Sequence, residues 1–223
     1  MAEEKKKKWL KIFMGVLLIG SIWGVLEATV GNILHFIGLH PYTGQIMTSI
    51  GTGLIAFARK LFKVRGIAVF MAVIAALFKA VDFLIPGSNV VRPIIAILLV
   101  GVAFEAVVAV THTFKTMNIQ IQRAVSGLAI GYVSIAAFAY FTAYVLKFNY
   151  WLKMGAVGIL RYVGVEGWKF GLGAMLLYLV GSNLDVWIDN LLKIRLSKVV
   201  STRPFHYFSG AFFVLALIFV VVV

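Results

Sequence analysis

Six ionisable side chains stand inside or at the edges of long apolar runs in this sequence: Glu27, Lys79, Asp82, Glu105, Lys169 and Asp185. Arg92 and His35 sit close to the ends of such runs. An acid or a base in the middle of an apolar span costs about 2.5–3.5 kcal/mol on insertion scales, so it faces a protein interior or a cavity and marks a functional candidate. Three kinds of chemistry fit. Opposite charges can lock two spans together as an ion pair, an excess of one sign can hold a polar solute, or the groups can pass a proton or ion.

Depth and helical phase sort these residues. At 1.5 Å per residue, counted from the outer span ends, Glu27 lies about 15 Å down, Lys79 about 10 Å and Glu105 about 18 Å. Asp82, Arg92 and His35 lie shallower. Two acids and one base of similar depth predict a Glu27–Lys79–Glu105 cluster, with His35, Asp82 and Arg92 beside it. At about 100° per residue, Gly20, Gly24, Glu27, Gly31 and His35 share one stripe roughly 80° wide. Glycines on that stripe allow close helix approach, so Glu27 faces a protein neighbour. Asn32 lies well off the stripe. Lys169 and Asp185 fall near span ends, where long side chains reach the interface.

Other chemistries find little support. The chain has no cysteine, which excludes disulfides, thiolate metal sites and cysteine catalysis. No HExxH, GxSxG or phosphate-loop pattern occurs, so nothing argues for an enzyme. A Zn²⁺ or Ni²⁺ site would have to draw on His35, His40 and Glu27, and no metal-ligand spacing stands out. A haem would need facing axial ligands, for which His112 and His206 are the available pair. Histidines at span ends are the better account of all four, and no cofactor is expected.

The elements that must position these residues follow from composition. Of 223 residues, 62% are hydrophobic and 13% charged, and mean hydropathy is +1.00. Soluble domains have about 45–50% apolar and about 25% charged residues. The sequence therefore predicts an all-α, polytopic transmembrane helix bundle of six to seven spans, forming one integral membrane domain over residues 1–223. Spans are predicted near 12–37, 44–61, 66–85, 93–111, 124–146, 168–188 and 205–223. Pro41 and the Pro86-Gly87 pair mark breaks. The apolar run after the first lysines continues past signal-peptide length and is taken as a retained span. The "GTG" at 51–53 and "GLG" at 171–173 read as close helix packing.

Net charge is +13. The bases cluster between apolar runs, so loop placement explains them and no nucleic-acid partner is expected. With residues 1–11 as a basic cytoplasmic N-terminus, 15 of the 21 bases fall inside, among them Arg59, Lys60, Lys63, Arg65, Lys115, Arg123, Lys193 and Arg195. This predicts a multi-pass protein of the cell (cytoplasmic) membrane. Residues 147–167 carry Lys153, Arg161 and Glu166 within an aromatic-rich, weakly apolar stretch, and are predicted as an external interfacial helix or a re-entrant segment.

The segments "GVLEATVGNILHFIGLHPYTG" and "VVRPIIAILLVGVAFEAVV", with the basic start and the small size, resemble the S components of energy-coupling-factor vitamin transporters. Gly20-xxx-Gly24-xxx-Ala28 is similar to the small-residue motif by which that family's first helix meets a membrane coupling subunit. The resemblance implies a small solute held in the outer half and partner ATPases that drive its movement. Residues and resemblance together predict a solute-binding protein or transporter subunit whose pocket draws on Glu27, His35, Lys79, Asp82, Arg92 and Glu105. A structural subunit of a larger membrane complex is the alternative, and a haem-binding anchor a more distant one.

Overall fold

The computed structural model describes residues 2–84, 90–114, 116–192, 196–200 and 202–222. The expected break at Pro86-Gly87 and the loop bases Lys115, Lys193 and Arg195 lie outside them, as does the side chain of His40. The described residues are almost wholly helical, with no strand among them. In chain order they form α1 (Ala2–Phe36), α2 (His40–Phe62), α3 (Ile67–Ala80), a single 3-10 turn (Val81–Leu84), α4 (Val91–Thr111), α5 (Ile119–Tyr144), α6 (Asn149–Leu192), the short α7 (Leu196–Val199) and α8 (Arg203–Val222). The chain is a transmembrane helix bundle, the fold class its composition predicts.

Six helical stretches among the described residues are long and apolar enough to cross a membrane, namely all the long helices except α2. Span 2 of the sequence reading is thus present as a helix but is less apolar than the others. Its position explains this. α2 runs antiparallel to α1, with Gly15 over Phe62 and Gly51 over Trp23, and parallel to α6 on its other side. Wrapped by neighbours, it carries Thr48, Ser49 and Thr52, all buried. Ser49 and Thr52 donate their hydroxyl protons to Gln45 O and Thr48 O, at 2.7 and 2.8 Å. Such back-bonding satisfies hydroxyls without water.

Small residues set the closest crossings. A Cβ on Gly181 of α6 would stand 2.0 Å from Gly53 O of α2, so the two backbones nearly touch there. Gly171 meets Leu128 and Tyr132 of α5, and Gly173 meets Ser49. Both glycine pairs read from the sequence are therefore packing positions.

α1 and α3 lie side by side and parallel, Gly20 against Ile74 and Gly24 against Phe78. α8 packs on α1, and its Phe213 meets Phe78 edge-on at 5.6 Å. The bases of α1, of the α2–α3 turn and of the α5 start gather at one end of the bundle, hereafter the basic end.

α6 has 44 residues, and the part after Gly155 alone is about 55 Å long, well over the hydrocarbon thickness of a bilayer. Gly155 interrupts it, with φ 65° and ψ 177°. Residues 156–167 continue into span 6 without a break at Trp168. They pack antiparallel along the last turns of α5: Tyr140 donates to Ala156 O, and Gly167 sits under the Tyr132 ring. Within the stretch 147–167, residues 156–167 form the distal arm of the α5–α6 hairpin.

Candidate functional site

α1 brings four polar side chains toward the end of the bundle opposite the basic one. Trp23 and Glu27 are one helical turn apart, and the indole Nε1 donates to Glu27 Oε1 at 3.0 Å. Asn32 projects to the other side of the helix, and His35 lies in its last turn. The glycine stripe divides along its length. Gly20 and Gly24 are covered by α3, whereas Gly31 and His35 border an open space.

α3 contributes Lys79 one residue before the helix gives way to the 3-10 turn that carries Asp82. The tighter turn brings the two together: Lys79 Nζ lies 2.6 Å from Asp82 Oδ2. The same ammonium donates to Asn32 Oδ1 at 2.7 Å and to the main-chain oxygen of Glu27 at 3.3 Å. Asn32 completes the triangle by donating from Nδ2 to Asp82 Oδ2 at 3.3 Å. Lys79 and Asp82 are buried, 6% and 7% exposed, and Asn32 is half-buried.

The space beside these groups is a cavity of about 380 Å³ to which six helices contribute. Glu27, Met47, Lys79, Arg92, Ser134 and Phe170 line it, one from each of α1 to α6. The volume suits a small organic molecule, and a mainly apolar wall with few polar groups is what such sites present. Arg92, in the first turn of α4, lies over the face of Phe148 at 3.9 Å. A cation over an aromatic face is held electrostatically.

No protein-family model, curated protein or solved structure matches this chain.

Four of the six residues expected at a site line this cavity: Glu27, His35, Lys79 and Arg92. Asp82 stands behind it, joined through Lys79. Glu105 is elsewhere, which corrects the expected three-residue cluster. Gly101 of α4 lies on Ala72, so Glu105, one turn on, reaches the start of α3. There it accepts from Ala68 N at 3.1 Å and pairs with Arg59 at 3.4 Å. Lys79 is about 16 Å further along α3. The acid satisfies an N-terminal amide of α3 that has no helical partner. Arg59, placed by the sequence reading among loop bases, is in the last turn of α2 and also donates to Val64 O.

The expected ion pair is corrected as well. Lys79 pairs with Asp82 and meets only the backbone of Glu27. Asn32, set aside for its phase, is a full partner of that network.

The remaining candidates lie apart. Lys169 pairs with Glu166 at 2.7 Å in an open groove beside Tyr42 and Arg161. Asp185 lies toward the other end of α6 and does not line the cavity. His112 is exposed at the end of α4. Among the described residues, no group of three or more histidines, aspartates and glutamates is arranged to hold a metal.

Proposed function

We propose that the chain is an integral membrane protein that binds a small polar solute in this cavity, either alone or as the solute-binding subunit of a transporter. The observation that carries the reading is the cavity itself: a 380 Å³ space among six helices, with Glu27 and Arg92 on one wall system. Cavities in helix bundles lined by apolar groups and a few charges are the usual sites for small ligands. The clustered bases favour the basic end as the cytoplasmic one, which would open the cavity toward the outside of the cell membrane. Gly20 and Gly24, similar to a coupling motif, are already covered by Ile74 and Phe78 of the same chain. A coupling subunit would therefore use another face.

Gly31 gives the test. A Cβ there meets only Glu27 Oε2, at 4.0 Å, so a larger side chain extends into the cavity. Protein purified in mild detergent is expected to carry a small solute detectable by mass spectrometry, and Gly31→Leu to lose it while keeping its thermal transition. The same solute load in Gly31→Leu would sink the reading.

α8 favours the second reading, an assembly subunit. It packs on α1 along one side and presents Tyr207, Phe208, Leu215 and Phe219 on the other. That reading predicts a partner chain that stays bound through purification.

A further inference from the structure

We propose that the solute is a small zwitterion with an apolar body, its ammonium on Glu27 and its acid group toward Arg92. This rests on the reading of the cavity as a binding site.

Lys79 decides what the cavity lacks. An ammonium has three N–H donors. Those of Lys79 go to Asp82 Oδ2, Asn32 Oδ1 and Glu27 O, at 2.6, 2.7 and 3.3 Å. Its charge is balanced by Asp82. It has no donor left for the Glu27 carboxyl or for a ligand.

Glu27 is 7% exposed, and its carboxyl receives one neutral donor, the Trp23 indole, at Oε1. Among the described residues, no cationic nitrogen lies within 4.0 Å of it. A carboxylate offers about four acceptor sites. Burying its charged form with no ion pair is costly, so the acid is held charged best when an ammonium meets it. Oε2 faces the space beside Gly31, so the unfilled side of this acid is the cavity.

Arg92 is the reciprocal case. Its guanidinium carbon lies 3.9 Å from the Phe148 ring centre, and no carboxylate of the described residues is within ion-pair distance. A guanidinium held over a ring still carries five N–H donors, and a carboxylate can take two of them at once. Met47, Ile97, Phe138 and Phe170 provide the apolar wall shared by both groups. The cavity therefore offers an acid and a base, neither of them in an ion pair among the described residues, and an apolar surface. A solute with only an acid group would leave Glu27 unpaired. One with only an amine would leave Arg92, an exposed side chain, unpaired at small cost.

The experiment measures binding to the full chain in detergent by calorimetry at neutral pH. Three matched series are used, with aliphatic, phenyl and indolyl bodies, each as amino acid, amine and carboxylic acid. In at least one series the amino acid is expected to bind tightest and the acid weakest. Glu27→Gln is expected to weaken the amino acid and the amine about tenfold to a hundredfold and to spare the acid. Arg92→Gln, at an exposed position, is expected to weaken the amino acid and the acid and to spare the amine. Tightest binding by the acid, equal binding across a series, or an Arg92→Gln chain that treats all three alike overturns the proposal. Should no member bind while a co-purifying solute of another class is lost in Gly31→Leu, the zwitterion falls and the binding site stands. If no solute of any class is found, both fall.

Discussion

The Lys79–Asp82–Asn32 triangle is the most exacting arrangement at the residue scale. Each member is buried or half-buried, and each bonds to the other two. Removing one partner of a buried ion pair leaves a naked charge and costs about 3–5 kcal/mol, whereas replacing both with apolar groups is often neutral. Asp82→Asn is thus expected to destabilise the protein by about that amount, and Lys79→Met with Asp82→Leu to recover most of it. Unfolding in mixed micelles, followed by Trp fluorescence, reads both. Equal loss in single and double variants would show that the charges are not the source. Two local pairs in this site have spacings that depth counting passes over in favour of Glu27–Lys79. Trp23 and Glu27 are four residues apart on a helix, and Lys79 and Asp82 three, spacings at which side chains meet. What crosses between helices is not legible. Asn32 lies about 140° round α1 from Glu27 by phase. Lys79 still reaches both, because it takes the backbone oxygen of one and the side chain of the other. Glu105 was drawn into the wrong cluster by a depth counted from span ends, which carries no register between α3 and α4.

At the element scale, apolarity separates the helices that face lipid from the one that does not. Six stretches are legible as spans because lipid demands long apolar runs. α2 is legible as a helix, but its hydropathy understates its place among the alternating helices, since its neighbours, not lipid, cover it. Charge and aromatic content mark 147–167 as interfacial, and neither reports that residues 156–167 pack along the last turns of α5. The α2–α6 contact depends on two glycines facing each other, Gly53 and Gly181. Gly181→Val is expected to force the helices apart and to lower the unfolding midpoint. Gly210→Ala on α8, where nothing lies within 4 Å, is expected to leave it unchanged or to raise it slightly, by the roughly 1 kcal/mol that a helical glycine costs. Thermal denaturation of both variants in the same detergent is the check. Equal midpoints would mean that the close crossing does not hold the bundle together.

For the whole molecule, orientation and crossing number are linked. Helices α1 to α6 alternate in direction, and α8 follows α6, so a chain that starts in the cytoplasm and crosses seven times ends outside. If α2 did not cross, the loops after it would change sides, and the cavity end of the bundle would no longer be on one face. The absence of cysteine makes this testable without background. Single cysteines at Lys7, Thr113 and Thr202 are expected to resist a membrane-impermeant maleimide added to intact cells and to react after lysis. Those at Leu39, Tyr150 and Val222 are expected to react from outside. Leu39 and Val222 carry the most information: the first reports whether α1 delivers the cavity rim to the outer face, the second whether α8 crosses. A reactive Thr113 with a protected Leu39 would invert the bundle. The cavity bearing Glu27 and Arg92 would then open to the cytoplasm, and a zwitterion would have to reach it from within the cell.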